Sequence, residues 1–251
     1  MTRLALVLCG VQIACSLSAQ PRFPQPSSVI PNPVQAGEEL AAKMRASAPS
    51  QEAEFTGKFV IVTEGGRVSE VPVASAIAVS PTNWQVVYQT FDRVGTPAES
   101  LRIVHRPDQP NTYFFSPDSA KVSPSHAPAS ELVRPFGGSD FWLMDLGLEF
   151  FHWSGQRLLR NEMRRTRPCH VLESSITNAA PGRYSRVLSW IDTESGGLIR
   201  AEAYDSSGKL LKEFNVGKFS KIDGRWHLKN MRITSEKTGQ ETELEFDPKK
   251  K

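Results

Sequence analysis

Cysteine is scarce: Cys9, Cys15 and Cys169 are the only three in the chain. The first two fall in an N-terminal leader, so Cys169 is left alone and an internal disulfide framework is excluded. Between Pro168 and His170, with no orienting carboxylate nearby, Cys169 reads as a small buried strand residue. Excess charge is lacking too. Lys and Arg total 30 against 27 Asp and Glu, a formal net charge of +3, which is too even a balance to indicate nucleic-acid binding. No apolar run reaches the roughly 20 residues that a spanning helix needs. There is no Walker loop, no Gly-x-Gly-x-x-Gly, no Gly-x-Ser-x-Gly and no His-Glu-x-x-His. The histidines His105, His126, His152, His170 and His227 are scattered, with no Cys or His at metal spacing. Neither a metal nor another cofactor is therefore expected. Asp140, Asp145, Glu149 and His152 cluster in sequence, and on one short helix Asp145 and Glu149 would share a face. Capping and solvation account for them without an acid–base role.

What is present begins with a leader. Met1-Thr2-Arg3 is a basic start, Leu4 to Ala14 is apolar, and Ser16-Leu17-Ser18-Ala19 offers small residues for cleavage. Residues 1–19 read as a secretory signal peptide cleaved near Ala19, so the expected location is the periplasm. The alternative is a lipid anchor at Cys15, where Ala14 fits but Gln12 stands in place of the expected Leu. Residues 20–33, with Pro21, Pro24, Pro26, Pro31 and Pro33, read as a linker. From residue 34 to 251 a single domain is expected. It opens on an amphipathic helix over Gln35 to Ser47, with Glu38-Glu39 early and Lys43 and Arg45 late.

Most of the remainder reads as strands: 54–63, 68–80, 83–92, 100–105 and 112–116, then 156–162 and 169–175 about a basic run, and a meander over 184–191, 198–204, 210–216, 225–234 and 241–246. Turn residues separate them, among them Gly65-Gly66, Gly196-Gly197, Gly208 and Gly239. Leu244 and Phe246 share one side of the last strand and Glu241, Glu243 and Glu245 the other, which faces water. Residues 117–135 form a long loop. In 136–155, Ser139 or Asp140 can cap a short helix that is apolar almost all round, so it must be buried or face an apolar ligand. The fold class is mainly β (α+β): a curved antiparallel half-open β-barrel with an N-terminal helix and a short helical lid or plug.

Several motifs carry a resemblance. Gly138-Ser139-Asp140-Phe141 with Asp145-Leu146 resembles the G-[ST]-D-F…D-L element of outer-membrane lipoprotein-sorting proteins. Tyr184 to Asp192 resembles their Y-x-R strand ending in W-h-D, and Arg200 to Lys212 their R-x-E-x-Y-D-x-x-G-K-L-x-K hairpin. Ile222-Asp223-Gly224-Arg225-Trp226, Lys237-Thr238-Gly239 and Leu244-Glu245-Phe246 match the closing hairpins. The resemblance is dense over 136–247 and implies the LolA/LolB-like superfamily. It further implies an incomplete barrel whose lid encloses a hydrophobic cavity for lipoprotein acyl chains, with no catalysis. On that footing the cavity candidates are Phe141, Trp142, Leu146, Phe150, Phe151, Trp190, Trp226, Leu244 and Phe246. Arg164, Arg165 and Arg167 are candidates for a headgroup or membrane contact. The expected partners are a lipid or lipoprotein acyl chain and a membrane or membrane-bound donor or acceptor, with no nucleic acid, and the expected state is a monomer. A surface-working interaction protein with a filled core is the rival reading.

Overall fold

The computed structural model describes residues 30–164, 166–217, 219–222 and 225–248, with only the backbone course for 219–222, 225–228 and 248. The leader, Cys15, most of the linker, Arg165, Asp223, Gly224 and the Trp226 side chain lie outside the described residues.

Helix α1 spans Pro33–Ala46 and starts two residues earlier than the sequence suggests. Pro33 stands in its first turn, where a missing N–H leaves no bond unmade. Glu38 and Glu39 fall beyond that turn, while Lys43 and Arg45 sit in the last one. The chain then meanders outward through β1 (Ala53–Val62), β2 (Val68–Val79), β3 (Trp84–Phe91), β4 (Pro97–Arg106), β5 (Gln109–Ser116) and the short β6 (Ser125–His126). A crossing segment, 127–154, carries α2 (Leu143–Leu146) and a 3-10 turn (Glu149–His152). The chain returns through β7 (Gly155–Arg164), β8 (Arg167–Ser175), β9 (Arg186–Asp192), β10 (Leu198–Tyr204) and β11 (Leu210–Val216). A separate hairpin of β12 (Phe219–Ile222) and β13 (Arg225–Leu228) follows, then β14 (Asn230–Ser235) and β15 (Glu241–Pro248).

Thirteen strands of the described residues form one curved, unclosed antiparallel sheet, in the order β6-β5-β4-β3-β2-β1-β15-β14-β11-β10-β9-β8-β7. The first and last strands therefore meet in its middle, and β6 and β7 are its free edges. The strand expected over 225–234 is two, because the β12–β13 hairpin leaves the sheet and β11 pairs directly with β14. The long loop contains β6, which pairs with β5.

Period-2 alternation decides which side chains line the hollow. Phe59 lies opposite Leu244, and Ile61 opposite Thr242, across the central seam. All four are buried and face inward, whereas Lys58, Glu241, Glu243 and Glu245 face out, where Lys58 pairs with Glu70 and Glu245, and Arg232 pairs with Glu241 and Glu243. The crossing segment runs from one free edge to the other through the hollow and fills it. Phe136, Phe141, Leu143 and Leu146 pack under the β1–β5 wing. Phe150 and Phe151 pack under β8–β11 and against α1. Each such buried side chain contributes about 1.5–3 kcal/mol.

Candidate functional site

The hollow and its plug are the candidate site. Seven of the nine cavity candidates meet there. Phe141, Leu146 and Leu244, with Phe246 beside them, belong to the cluster under the first wing. Phe150 and Phe151, with Trp142 against them, belong to the cluster under the second. Phe141 lies between the wings, its ring 5.9 Å from Phe59 and 6.3 Å from Phe214. Trp190 is not brought to them. Val187 and Ile191 of its strand face inward, so Trp190 faces out, where it packs on Cys169 and Val171.

The plug is not one helix, and Ser139 and Asp140 do not cap it. Ser139 Oγ donates to the Phe136 carbonyl and accepts from Phe141 N–H, so it braces the Gly137-Gly138 turn. Asp140 N–H donates to Thr242 Oγ1, and that hydroxyl donates back to Asp140 Oδ2. The N-terminus of α2 is met instead by Asp145, whose Oδ2 accepts from Trp142 N–H at 2.8 Å. Helix α2 ends at Gly147, and Leu148 takes a left-handed backbone, φ 50°. That reversal sends Asp145 and Glu149 to opposite sides rather than along one face.

Asp145 is not solvated. Its carboxylate lies 3.3 Å from Lys212 Nζ and accepts from Tyr184 Oη, with both ion-pair partners buried. Lys212 also donates to the Asp140 carbonyl at 2.6 Å and sits 3.7 Å from the centre of the Trp142 ring. Burial pushes the Lys212 ammonium down and the Tyr184 phenol up. On the other side, Glu149 Oε2 accepts from Tyr113 Oη and Asn111 Nδ2. Burial raises the Glu149 carboxyl to about 7. A buried polar anchor on each wing thus holds the plug, in addition to the Asp140–Thr242 bonds at the central seam.

The cavity expected between sheet and lid is nearly filled. A void of about 20 Å³ remains against β9–β11, floored by Ala201 and Ala203 and walled by Val187, Leu198, Phe150 and Leu148, room for about one water. Space also borders the plug on two other sides. About 180 Å³ lies between α1, Trp84, His105 and Leu148, and about 370 Å³ between Leu132, Met144, Trp153 and Ile176.

Of the arginine candidates, Arg164 and Arg167 come together with Arg200 around an outer groove of about 450 Å³. Arg167 pairs with the buried Asp192, Arg200 with Glu202 and Glu213, and Arg164 stacks over Trp190. Carboxylates thus match two of the three charges.

A family model described as "-like: Uncharacterized protein" matches residues 96–250, more than half of the chain. The chain belongs to that family. Solved structures share its fold. A DUF1329 family protein from Desulfovibrio piger matches at 19% identity and TM-score 0.70, covering 86% of this chain and 91% of that one. A domain described as that of an outer membrane lipoprotein-sorting protein, from Vibrio parahaemolyticus, matches at 20% identity and TM-score 0.70, covering 85% and 91%. A LolA superfamily protein from Nitrosomonas europaea matches at 17%, TM-score 0.58, covering 86% and 91%. The fold is LolA-like. No curated protein matches the sequence.

Within the LolA-like sheet the separate sequence motifs converge. Asp140 and Asp145 come from the first, Tyr184 heads the second and Lys212 closes the third, and all meet in one buried knot. Sequence reasoning passed over Lys212 and Tyr184 as site residues. A signal existed for Lys212: two residues before Phe214, it shares that strand's apolar face. Asn111, Tyr113 and Leu148 left no such signal, because a turn reversal and a distant strand bring them to the plug.

Proposed function

We propose that this protein is an exported, non-catalytic carrier in which the plug keeps an apolar trough closed until an acyl chain replaces it, in the service of lipoprotein sorting to the outer membrane. One observation carries the reading. The aromatic plug crosses the hollow and is held to both wings, yet it adds no strand to the sheet, and space borders it on three sides. Withdrawing residues 136–153 breaks no backbone hydrogen bond between strands and exposes the trough floor. Each CH₂ that a guest then buries contributes about 0.8 kcal/mol. The periplasm is the proposed location.

The filled hollow favours a second reading, an interaction protein that works through its surface. Lipid extraction and mass spectrometry of the purified protein, with titration of a fluorescent fatty acid, separate the two. The carrier reading expects co-purifying lipid and saturable binding that Ala203→Leu, which narrows the void, weakens severalfold. Neither lipid nor binding leaves the interaction reading standing.

A further inference from the structure

The chamber between α1 and the plug holds a polar group that folding alone does not explain. His105 is 9% exposed, and its imidazole stacks on Trp84 at 3.7 Å with the rings 10° from parallel. Its Nε2 is buried and makes no hydrogen bond, although the Asn111 side chain, whose Oδ1 is likewise unpaired, acts on the ring, and the residue lines the 180 Å³ space. A phenylalanine would fill the same stack without stranding a nitrogen. Arg45 stands at the same chamber. Its Nη1 donates to the Phe151 carbonyl at 2.7 Å and its Nε to the Pro107 carbonyl at 3.2 Å. It forms no ion pair among the described residues. Glu38, Glu39 and Asp108 line the outer groove with it, not the chamber. His152 is the other titratable group at the chamber wall.

The chamber's inner wall is shared. Leu148 lines both this space and the apolar void against β9–β11. Its left-handed backbone is uncommon for a leucine and sets its side chain at the junction of the two. A chamber with mostly apolar walls, a cation and an imidazole nitrogen that makes no hydrogen bond therefore abuts, across one side chain, a space lined mainly by Ala201, Ala203, Val187 and Phe150, with the Asp145–Lys212 pair at its far wall.

We infer that the chamber receives the compact oxyanion, a carboxylate or phosphate monoester, that ends a single acyl chain, with Arg45 and His105 Nε2 as its recognition groups and the chain running past Leu148 into the trough. This inference rests on the carrier reading and adds to it the polarity and direction of the ligand. Arg45 supplies a charge-assisted hydrogen bond, and the head group supplies the partner that Nε2 lacks.

The test uses the full-length protein, freed of lipid, and displacement of a fluorescent fatty acid by palmitate, methyl palmitate and hexadecyl phosphate. The expected result is that an anionic chain competes at least about tenfold better than the ester. The tighter of palmitate and hexadecyl phosphate names the head. His105→Phe and Arg45→Gln each bring the anion down to the level of the ester and leave the ester unchanged. A His105→Phe melting temperature at or above that of the parent shows that the loss is not unfolding. Equal binding of anion and ester by the parent, or an anion preference that survives His105→Phe, overturns the inference and leaves the carrier reading intact. Failure of every chain to bind overturns both.

Discussion

At the scale of single residues, the buried pair of Lys212 and Asp145 is the most consequential contact. It ties the start of α2 to the sheet, and neither side chain is more than 9% exposed. Removing one member of such a pair leaves an uncompensated buried charge. Lys212→Met should therefore destabilise the protein by about 3 kcal/mol, the lower end of the usual range, because Trp142 N–H and Tyr184 Oη still donate to Asp145. Combining it with Asp145→Asn should recover a large part of that loss. Urea unfolding of the single and double variants measures both, and additive losses would contradict the pairing. The residues of this knot stood in the sequence as motif letters, but their meeting did not. Tyr184, Asp145 and Lys212 lie in three separate segments, and only the sheet order brings them within reach of one another.

At the scale of elements, the plug decides how the hollow behaves, and its second anchor is titratable. The Glu149 carboxyl is raised from 4.5 to about 7 by burial, so ionisation weakens the folded state as pH rises through that window. His105 and His152 are lowered from 6.5 to about 4, also by burial, with Arg45 adding to the effect on His152. Their stability is gained as pH rises from about 4 to about 6.5. His170, also lowered by burial, acts in the same direction, so the histidines outweigh Glu149 and stability should climb between about pH 5 and 6.5, and Glu149→Gln should make the climb steeper by removing the opposing carboxyl. Midpoints of urea unfolding at intervals across that range test this, and an unchanged slope would show that Glu149 ionises as freely in the folded state as in the unfolded. Here the sequence was half legible. An apolar run over 136–155 announces a buried segment. Its break at Leu148 does not show, because leucine is among the least expected residues for a left-handed backbone, and the two carboxylates therefore seemed to share a face.

At the scale of the whole molecule, strand periodicity and turn residues were enough to read the meander and the mainly β class. They could not reveal that β1 pairs with β15, since nothing local in either strand names a partner at the other end of the chain. That seam joins the two wings, and it is tight at Gly57, where a side-chain carbon would stand 2.0 Å from the Glu245 carbonyl oxygen. Gly57→Ala should cost about 1–3 kcal/mol by overpacking against backbone that has no rotamer to yield, seen as a lowered denaturant midpoint. An unaltered midpoint would mean that the two central strands can move apart at little cost. The same seam governs the order of assembly. A chain emerging N-terminus first shows a bare β1 margin until its last strand is released, and such long-range pairing is slow to form. During that interval the exposed strand can recruit a neighbouring molecule as readily as its own tail. A nascent copy of this protein therefore needs either dilution or a chaperone to cover the half-built sheet.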